Sequence, residues 1–289
     1  MLEGIFWFNG RCSSEFDLKI GYINPDSFPF GIQRENIIET IPHTYKTYSL
    51  GSSYEPLKKS FIIYTEKKLN TQKRIAICDW LFVDKFCELY CQCQPDIVYY
   101  CKLEGDTQKF LACNGGYIEC EMVCNTPFPS TRPRITERSF DPQFIKDGIF
   151  TSTFDIRNDS NYKSWGDFIV KLRIPSEDVL KKALNLGESG ALPSLSIRIW
   201  NKTNSSSSDA FVISSELNPR MPLKTGEILS IDMNNHIIHT NARIGTGDTY
   251  KHRLENSNLK FLTLNKGLNE IEITGFCDCQ ITTQFPVLH

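Results

Sequence analysis

The chain has 289 residues, of which 40% are hydrophobic and 23% charged, and its formal net charge is −2. This length allows one large or two ordinary domains, and the hydrophobic content is sufficient for a sizeable core. Before Pro127 there are 13 basic and 16 acidic residues, and after it 19 and 18, so neither half has the positive charge of a nucleic-acid-binding surface.

The sequence shows neither a membrane helix nor a secretory signal. No apolar run approaches the roughly 20 residues that a membrane-spanning helix needs. Glu3 stands where a signal peptide would carry lysine or arginine, and Asn9 interrupts the apolar run that follows. We therefore expect a protein without membrane insertion that is made and folded in a cytoplasm.

The 11 cysteines are unusual in number, and nine of them precede Pro127. Cys87 and Cys91 have the spacing of half a zinc site. Reduced thiols that act as small buried hydrophobes are the favoured interpretation. A structural metal and disulfide bonds remain as alternatives.

The first half of the chain predicts short strands. Residues 60–65 (SFIIYT) and 96–101 (DIVYYC) have strand composition. Residues 116–124 alternate between apolar and polar side chains, as a half-buried strand does, and Asn114-Gly115 before them favours a tight hairpin turn. One face of that strand carries Ile118, Cys120, Met122 and Cys124.

One helix is predicted in this half, from Thr71 to about Phe86. Asn70 or Thr71 can cap its first turn. Trp80 is interpreted as a core aromatic or an anchor of the helix. Apolar positions recur at helical spacing in Ile75, Cys78, Leu81 and Phe82.

The character of the sequence changes after Cys124. Residues 125–133 (NTPFPSTRP) contain three prolines, which exclude helix and central strand and indicate a crossing between domains. Strand-like segments follow at a density that predicts a sandwich or jelly roll. These segments are 168–174, 195–200, 211–215, 227–232 and 270–274.

A helix and a loop interrupt the second half. Ser176 can cap a helix over residues 177–184, and Gly187 is a stop signal after it. Residues 204–209 (NSSSSD) predict a flexible loop tip between two strands.

A search for catalytic and ligand motifs finds none that is specific. Residues 187–190 (GESG) have the wrong spacing for a nucleophile elbow, and residues 245–248 (GTGD) precede no helix that could complete a phosphate cradle. His236 and His239 would lie on opposite faces of a strand, which disfavours joint metal ligation. We therefore expect no enzyme, no cofactor and no metal site.

Several segments together resemble the distal tail protein (Dit) family of long-tailed bacteriophages. The opening residues 6–10 (FWFNG) and 13–16 (SSEF) with Leu18 are similar to that family's first element, although Asp17 stands where glycine is common. Further similarities follow in the family's order: residues 45–51 with Tyr54, Trp80-Leu81, Asp96 with Tyr99-Tyr100, residues 116–124 with Pro127-Phe128, Ile231-Asp232 and residues 264–271.

The resemblance implies a mainly β fold in two domains. Residues 1–127 would form a β-sandwich-like domain with one helix that builds a sixfold ring at the end of the tail tube. Residues 128–289 would form a galectin-like or carbohydrate-module-like β-sandwich. The implied partners are further copies of the chain in a homo-hexamer, the tail tube protein, the tail-tip hub protein and receptor-binding or baseplate proteins. The implied location is the virion tail tip.

Candidate interface residues follow from the aromatic N-terminal segments, although a plain core role is equally compatible with them. They are Phe6, Trp7, Phe8, Tyr45 and Tyr48.

Two alternatives to a purely structural role remain. The second domain could bind host glycans on an aromatic platform beside amide and carboxylate groups. The candidates are Trp165 with Asp167 and Trp200 with Asn201. A cell-wall hydrolase is disfavoured because no catalytic constellation is found.

Overall fold

The computed structural model describes residues 3–21, 34–40, 47–107, 116–145, 150–160, 167–184, 195–201, 206–207, 210–242 and 253–287. Strands dominate these residues, so the predicted mainly β fold is confirmed. The chain divides into an N-terminal unit, Met1–Arg132 with Val287–His289, and a C-terminal unit, Pro133–Pro286. Within the described ranges, no helix is long and apolar enough to cross a membrane.

The N-terminal unit consists of an antiparallel sheet, a helix and a separate hairpin. Its strands are β1 (Phe6–Phe8), β2 (Arg11–Cys12), β3 (Lys19–Gly21), β4 (Arg34–Thr40), β5 (Thr47–Tyr54), β6 (Lys58–Thr65), β7 (Cys87–Cys91), β8 (Gln94–Thr107), β9 (Gly116–Cys124) and β10 (Ser130–Thr131). The large sheet has the order β2-β1-β7-β8-β9-β6-β3, with β10 paired to β8. Among the described strands, β4 and β5 pair only with each other.

Strand β9 has the bounds that the sequence predicts, and its buried face is the predicted one. The predicted strands at 60–65 and 96–101 lie within β6 and β8. Strand β9 was predictable because only one of its faces is buried, which produces a period of two in the sequence. The predicted turn at Asn114-Gly115 lies outside the described residues.

Helix α1 (Thr71–Leu81) begins where predicted, and the Asn70 side chain accepts a hydrogen bond from the Lys73 amide at 2.7 Å. The predicted end near Phe86 is wrong, because the helix ends at Leu81. Phe82 has φ −98° and ψ 78°, outside the helical region, although its amide still donates to the Cys78 carbonyl. The apolar residues that follow Leu81 lead into β7 instead of extending the helix.

An aromatic cluster joins α1 to the sheet. The Trp80 ring stacks on Phe6 and Phe16 at centroid distances of 5.7 and 5.1 Å, and it meets Phe8 edge-on at 6.4 Å. Its indole Nε1 donates to the Phe8 carbonyl oxygen at 2.7 Å. The prediction that Trp80 is a core or anchoring aromatic is therefore confirmed, and the hydrogen bond satisfies a polar group that is buried with the ring.

The C-terminal unit contains two five-stranded antiparallel sheets. Its strands are β11 (Arg134–Arg138), β12 (Thr151–Asn158), β13 (Asp167–Arg173), β14 (Leu195–Asn201), β15 (Ser206–Ser207), β16 (Phe211–Ile213), β17 (Ile228–Asp232), β18 (Ile237–Thr240), β19 (Gly267–Thr274) and β20 (Asp278–Gln284). One sheet has the order β11-β20-β13-β17-β18, and the other has β12-β19-β14-β15 with β16 paired to β14.

Helix α2 (Glu177–Leu184) agrees with the predicted helix, while the predicted stop at Gly187 lies outside the described residues. The prediction of a loop over residues 204–209 is wrong in part. Ser206–Ser207 form β15, which pairs with Trp200 and Asn201 of β14. Two residues are enough to continue a ladder but too few to produce a periodic sequence pattern.

A bidentate ion pair lies inside the C-terminal unit. Arg253 and Glu227 are 0% and 2% exposed, and two hydrogen bonds of 2.8 Å join the guanidinium to the carboxylate. The guanidinium also donates to the carbonyl oxygens of Met221 and Pro222, and the Thr240 hydroxyl donates to the carboxylate. Burial of both charges is tolerated because each finds several partners.

Candidate assembly surface

Strands β4 and β5 form a hairpin that we call the hairpin arm. All five residues of 35–39 (ENIIE) are exposed, although successive side chains of a strand point to opposite faces. Neither face of β4 is therefore covered over these residues. Large apolar side chains stand on the arm, with Ile37 48%, Ile38 60% and Tyr48 48% exposed. An arm of this kind offers apolar surface on both faces for contact with another molecule.

Local contacts fix the shape of the hairpin arm. The register shifts between Ile37, which is opposite Gly51, and Ile38, which is opposite Ser49, so a β-bulge lies at this point. A bulge bends and twists a strand pair and places side chains where regular alternation would not. At the base of the arm, the Tyr54 ring packs on the buried Phe128 ring at a centroid distance of 5.6 Å.

A second surface feature of the N-terminal unit is a row of three planar groups. Trp7 of β1 lies directly opposite Tyr90 of β7, and their rings stack at 5.2 Å with an interplanar angle of 10°. The Arg132 guanidinium lies 4.2 Å from the centre of the Tyr90 ring. Trp7 and Tyr90 are half-buried and Arg132 is exposed, so the row lies on the outer face of the sheet. Aromatic and arginine side chains of this kind are common in protein interfaces.

The structure separates the five predicted interface residues into different environments. Phe6 and Phe8 are fully buried in the cluster around Trp80, whereas Trp7 between them faces outward. Tyr48 is exposed on the hairpin arm, and Tyr45 lies outside the described residues. Trp7 and Tyr48 thus lie where an interface can use them, while Phe6 and Phe8 shape the core beneath.

Asp17 occupies the turn where the resembling family commonly has glycine. It follows the 3-10 helix Ser13–Phe16 with φ 58° and ψ 33°, a left-handed conformation that glycine adopts freely and aspartate tolerates better than most residues. Its carboxylate accepts a hydrogen bond from Lys67 Nζ at 2.6 Å, which is the main reason why the pKa of Asp17 is lowered. Lys73 Nζ lies 3.7 Å from the same carboxylate. This turn therefore holds an aspartate in the left-handed conformation, with a contact to Lys67.

The glycan candidates that the structure describes lie on different sheets of the C-terminal unit. Asp167 begins β13, where desolvation and then the Asp232 carboxylate raise its pKa. Trp200 and Asn201 end β14, and their side chains are outside the part that the structure describes, as is the whole of Trp165. The glycan platform therefore stays a prediction.

The described residues bring no metal-binding group together. They contain no cluster of three or more His, Cys, Asp or Glu side chains that could hold a metal ion. His236 lies in a turn with φ 57° and stacks on Phe261 at 4.7 Å, whereas His239 lies in β18. The predicted strand position is thus correct for His239 and wrong for His236, because a left-handed turn precedes the strand.

A groove of about 780 Å³ in the C-terminal unit lies beside β11 and β12. Its described lining contains neither histidine nor cysteine. Asp141 in this lining accepts the Gln143 amide, and the Glu137 carboxylate accepts a hydrogen bond from Gln280. Both acids thus have structural partners.

Comparison with known proteins agrees with the resemblance in the sequence. Residues 4–126 match the model of a family described as the phage tail protein N-terminal domain. No curated protein matches the sequence. The Dit protein (gp 19.1) of phage SPP1 is similar in structure, with a TM-score of 0.57 and 9% identity, over 97% of this chain and 98% of that one. Its structure is described as a paradigm of the hub adsorption apparatus in phages that infect Gram-positive bacteria.

A chain of the phage P2 baseplate, in its activated conformation with Ca, is also similar. Its TM-score is 0.50 and its identity 12%, over 100% of this chain and 99% of that one. At such low identities the two likenesses show the fold, while the family match covers the unit that holds the hairpin arm and the Trp80 cluster. Residues 4–126 are thus similar to the phage tail protein N-terminal domain family, and the chain has a fold similar to that of the SPP1 Dit protein over almost its full length, in agreement with the resemblance of its motifs.

Proposed function

We propose that this protein is a structural hub of the phage tail tip and that six copies form a ring through their N-terminal units. The observation that carries the proposal is the hairpin arm, whose exposed isoleucines and tyrosine lie on a two-stranded sheet. An isolated two-stranded hairpin is marginally stable in water. Contact with a neighbouring copy would both stabilise the arm and remove its apolar side chains from water.

The expected contact is head-to-tail. The hairpin arm of one copy would contact a different surface on the next copy. Such contacts close into a ring when a whole number of equal rotations from copy to copy completes one full turn. The row of Trp7, Tyr90 and Arg132 is the receiving surface that we favour, because it offers half-buried aromatic groups and a planar cation. Full burial of one isoleucine contributes about 1.5–3 kcal/mol, so a few such residues per contact, repeated six times, stabilise a ring strongly.

The partners proposed for the ring are the tail tube protein on one side and the tail-tip hub protein with receptor-binding or baseplate proteins on the other. The protein would thus be located at the virion tail tip after assembly in the host cytoplasm, with no catalytic role of its own. The hub description of the SPP1 Dit structure and the baseplate origin of the P2 chain support this assignment.

The test is a pair of substitutions at two isoleucines that are equally exposed. Ile38 on the arm and Ile135 on β11 are each 60% exposed, so Ile38→Glu and Ile135→Glu change the surface by the same chemistry. We expect Ile38→Glu to weaken assembly at least tenfold, because each contact would bury an unpaired carboxylate, whereas Ile135→Glu assembles like the wild type.

Light scattering behind size exclusion measures the molar mass of each variant, and circular dichroism confirms that each is folded. Equal assembly of the two variants would contradict a role of the arm. The proposal would also be contradicted if the wild-type protein stayed monomeric at high concentration.

A further inference from the structure

Three buried thiols form a row across neighbouring strands of the N-terminal sheet. Cys101 of β8 lies directly opposite Cys87 of β7 on one side and Cys124 of β9 on the other. Residues directly opposite each other in an antiparallel sheet point to the same face. The three side chains are 6%, 0% and 2% exposed for Cys87, Cys101 and Cys124, and none of them is in a disulfide.

Two backbone hydrogen bonds define how Cys101 and Cys124 face each other. The Asn125 amide donates to the Tyr100 carbonyl oxygen at 3.0 Å, so the neighbouring residues 100 and 125 form a hydrogen-bonded pair. The Cys124 amide donates to Leu57 at 2.8 Å, away from β8. Cys101 and Cys124 are therefore a non-hydrogen-bonded pair, the type in which side chains approach most closely and Cα atoms are about 4.5 Å apart.

This pair satisfies the geometric requirement for a cross-link. Disulfides join residues whose Cα atoms are about 4.4–6.8 Å apart and whose Cβ atoms point toward each other. The backbone groups of Cys101 point toward β7, so Cys87 and Cys101 form the wider, hydrogen-bonded type of pair, whose side chains are farther apart.

We propose that Cys101 and Cys124 are a modification site, which a small-molecule disulfide oxidises to a cross-strand disulfide bond between β8 and β9. The thiolate of one cysteine attacks a sulfur of the oxidant, which forms a mixed disulfide and releases one thiolate. The second cysteine, after losing its proton, attacks the protein sulfur of the mixed disulfide and releases the other thiolate. The protein loses two protons and two electrons, and the oxidant is reduced to two thiols.

The surroundings of the pair determine when this reaction occurs. A hydrogen bond with Cys124 and burial of the side chain raise the pKa of Cys101. This thiol therefore stays protonated at neutral pH while β8 and β9 are paired. Oxidation is therefore slow in the native protein and fast when β8 and β9 separate or when the chain refolds. The cross-link lies within one chain and does not depend on ring formation.

The experiment compares two samples of the full chain in a buffer of oxidised and reduced glutathione. One sample is incubated in the native state, and the other is refolded from urea in the same buffer. Free thiols are alkylated, and peptide mass spectrometry locates any cross-link. We expect a linked peptide pair containing Cys101 and Cys124, formed faster on refolding than in the native state.

Stability and two variants complete the test. The cross-link closes a loop of more than 20 residues, so the melting temperature should rise by roughly 5–10 °C on oxidation. Cys87→Ala keeps the cross-link and this rise, whereas Cys101→Ala loses both. The proposal would be overturned if Cys101 and Cys124 were both alkylated in the refolded sample, or if Cys101 were linked to Cys87 instead. The wild-type peptides alone decide between these results, so the test does not depend on the folding of a variant.

Discussion

The two units of the molecule bury a cation in different ways. In the C-terminal unit, Arg253 meets a carboxylate in a bidentate pair with both groups inside the core. In the N-terminal unit, the buried Lys59 amine lies 5.3 Å from the centre of the Tyr99 ring, and burial lowers its pKa. The Arg253 pair depends on the planar geometry of the guanidinium and the carboxylate, while Lys59 depends on the face of an aromatic ring.

The hydrophobic cores of the two units also differ in composition. The N-terminal core contains the aromatic cluster around Trp80 and most of the buried thiols, whereas the C-terminal core consists mainly of aliphatic side chains from two facing sheets. The C-terminal unit thus combines a buried ion pair with an aliphatic core, whereas the N-terminal core has an aromatic cluster. Three substitutions test this difference, from the largest expected effect to the smallest.

Loss of the buried arginine should have the largest effect. Arg253→Met leaves the Glu227 carboxylate buried with its main partner gone, and we expect the unfolding free energy of the C-terminal unit to fall by about 3–5 kcal/mol. Hydrogen exchange followed by mass spectrometry in urea reports the two units separately. The control is Arg157→Met, which breaks an exposed pair with Asp159 and should cost less than about 1 kcal/mol. Equal losses in the two variants would contradict a role of burial.

A smaller effect is expected in the aromatic cluster. Trp80→Phe keeps an aromatic ring but removes the hydrogen bond to the buried Phe8 carbonyl, which should cost the N-terminal unit about 1–3 kcal/mol. Phe16→Leu is the matched control, because it changes the packing against Trp80 and leaves that hydrogen bond intact. Hydrogen exchange measured in denaturant should show that the backbone amides of β1 and α1 exchange faster in Trp80→Phe than in the wild type. A uniform change across both units would argue against a local anchor.

The smallest effect is expected at Asp17 and depends on pH. The lowered pKa of Asp17 means that its ionised form stabilises the folded protein at neutral pH, and this contribution is lost as pH falls through the lowered folded-state value. Asp17→Asn tolerates the left-handed turn but removes the contact with Lys67. Thermal unfolding should show a slightly lower melting temperature for the variant at pH 7 and no difference at a pH below the lowered pKa of Asp17. A difference that persists in acid would indicate a backbone effect instead.

The sequence predicts several strands that bury one face, although it misses others such as β12, and it misses β4, which buries neither face over residues 35–39. Strand β9 alternates because every second side chain is in the core, and its bounds are predicted correctly. Strand β4 has two adjacent isoleucines and both faces exposed, so it shows no period of two and was not predicted. The surface that we propose for assembly is therefore the part of the fold that a sequence pattern reveals least, because its burial depends on another molecule.

The candidate site was predictable only in part. The aromatic run at residues 6–8 correctly draws attention to β1, but alternation separates its members, so Phe6 and Phe8 face the core and Trp7 faces outward. The contact of Trp7 with Tyr90 joins residues that are far apart in the chain, and strand pairing alone brings them together. Local sequence does not encode such pairing.

The most direct test of the central proposal is the number of subunits around one assembled particle. Electron microscopy of the purified full-length protein, with class averages viewed along the ring axis, gives this number. We expect sixfold rings that open or disappear for Ile38→Glu and persist for Ile135→Glu. A monomer at all concentrations, together with absence of the protein from purified tails, would contradict the account.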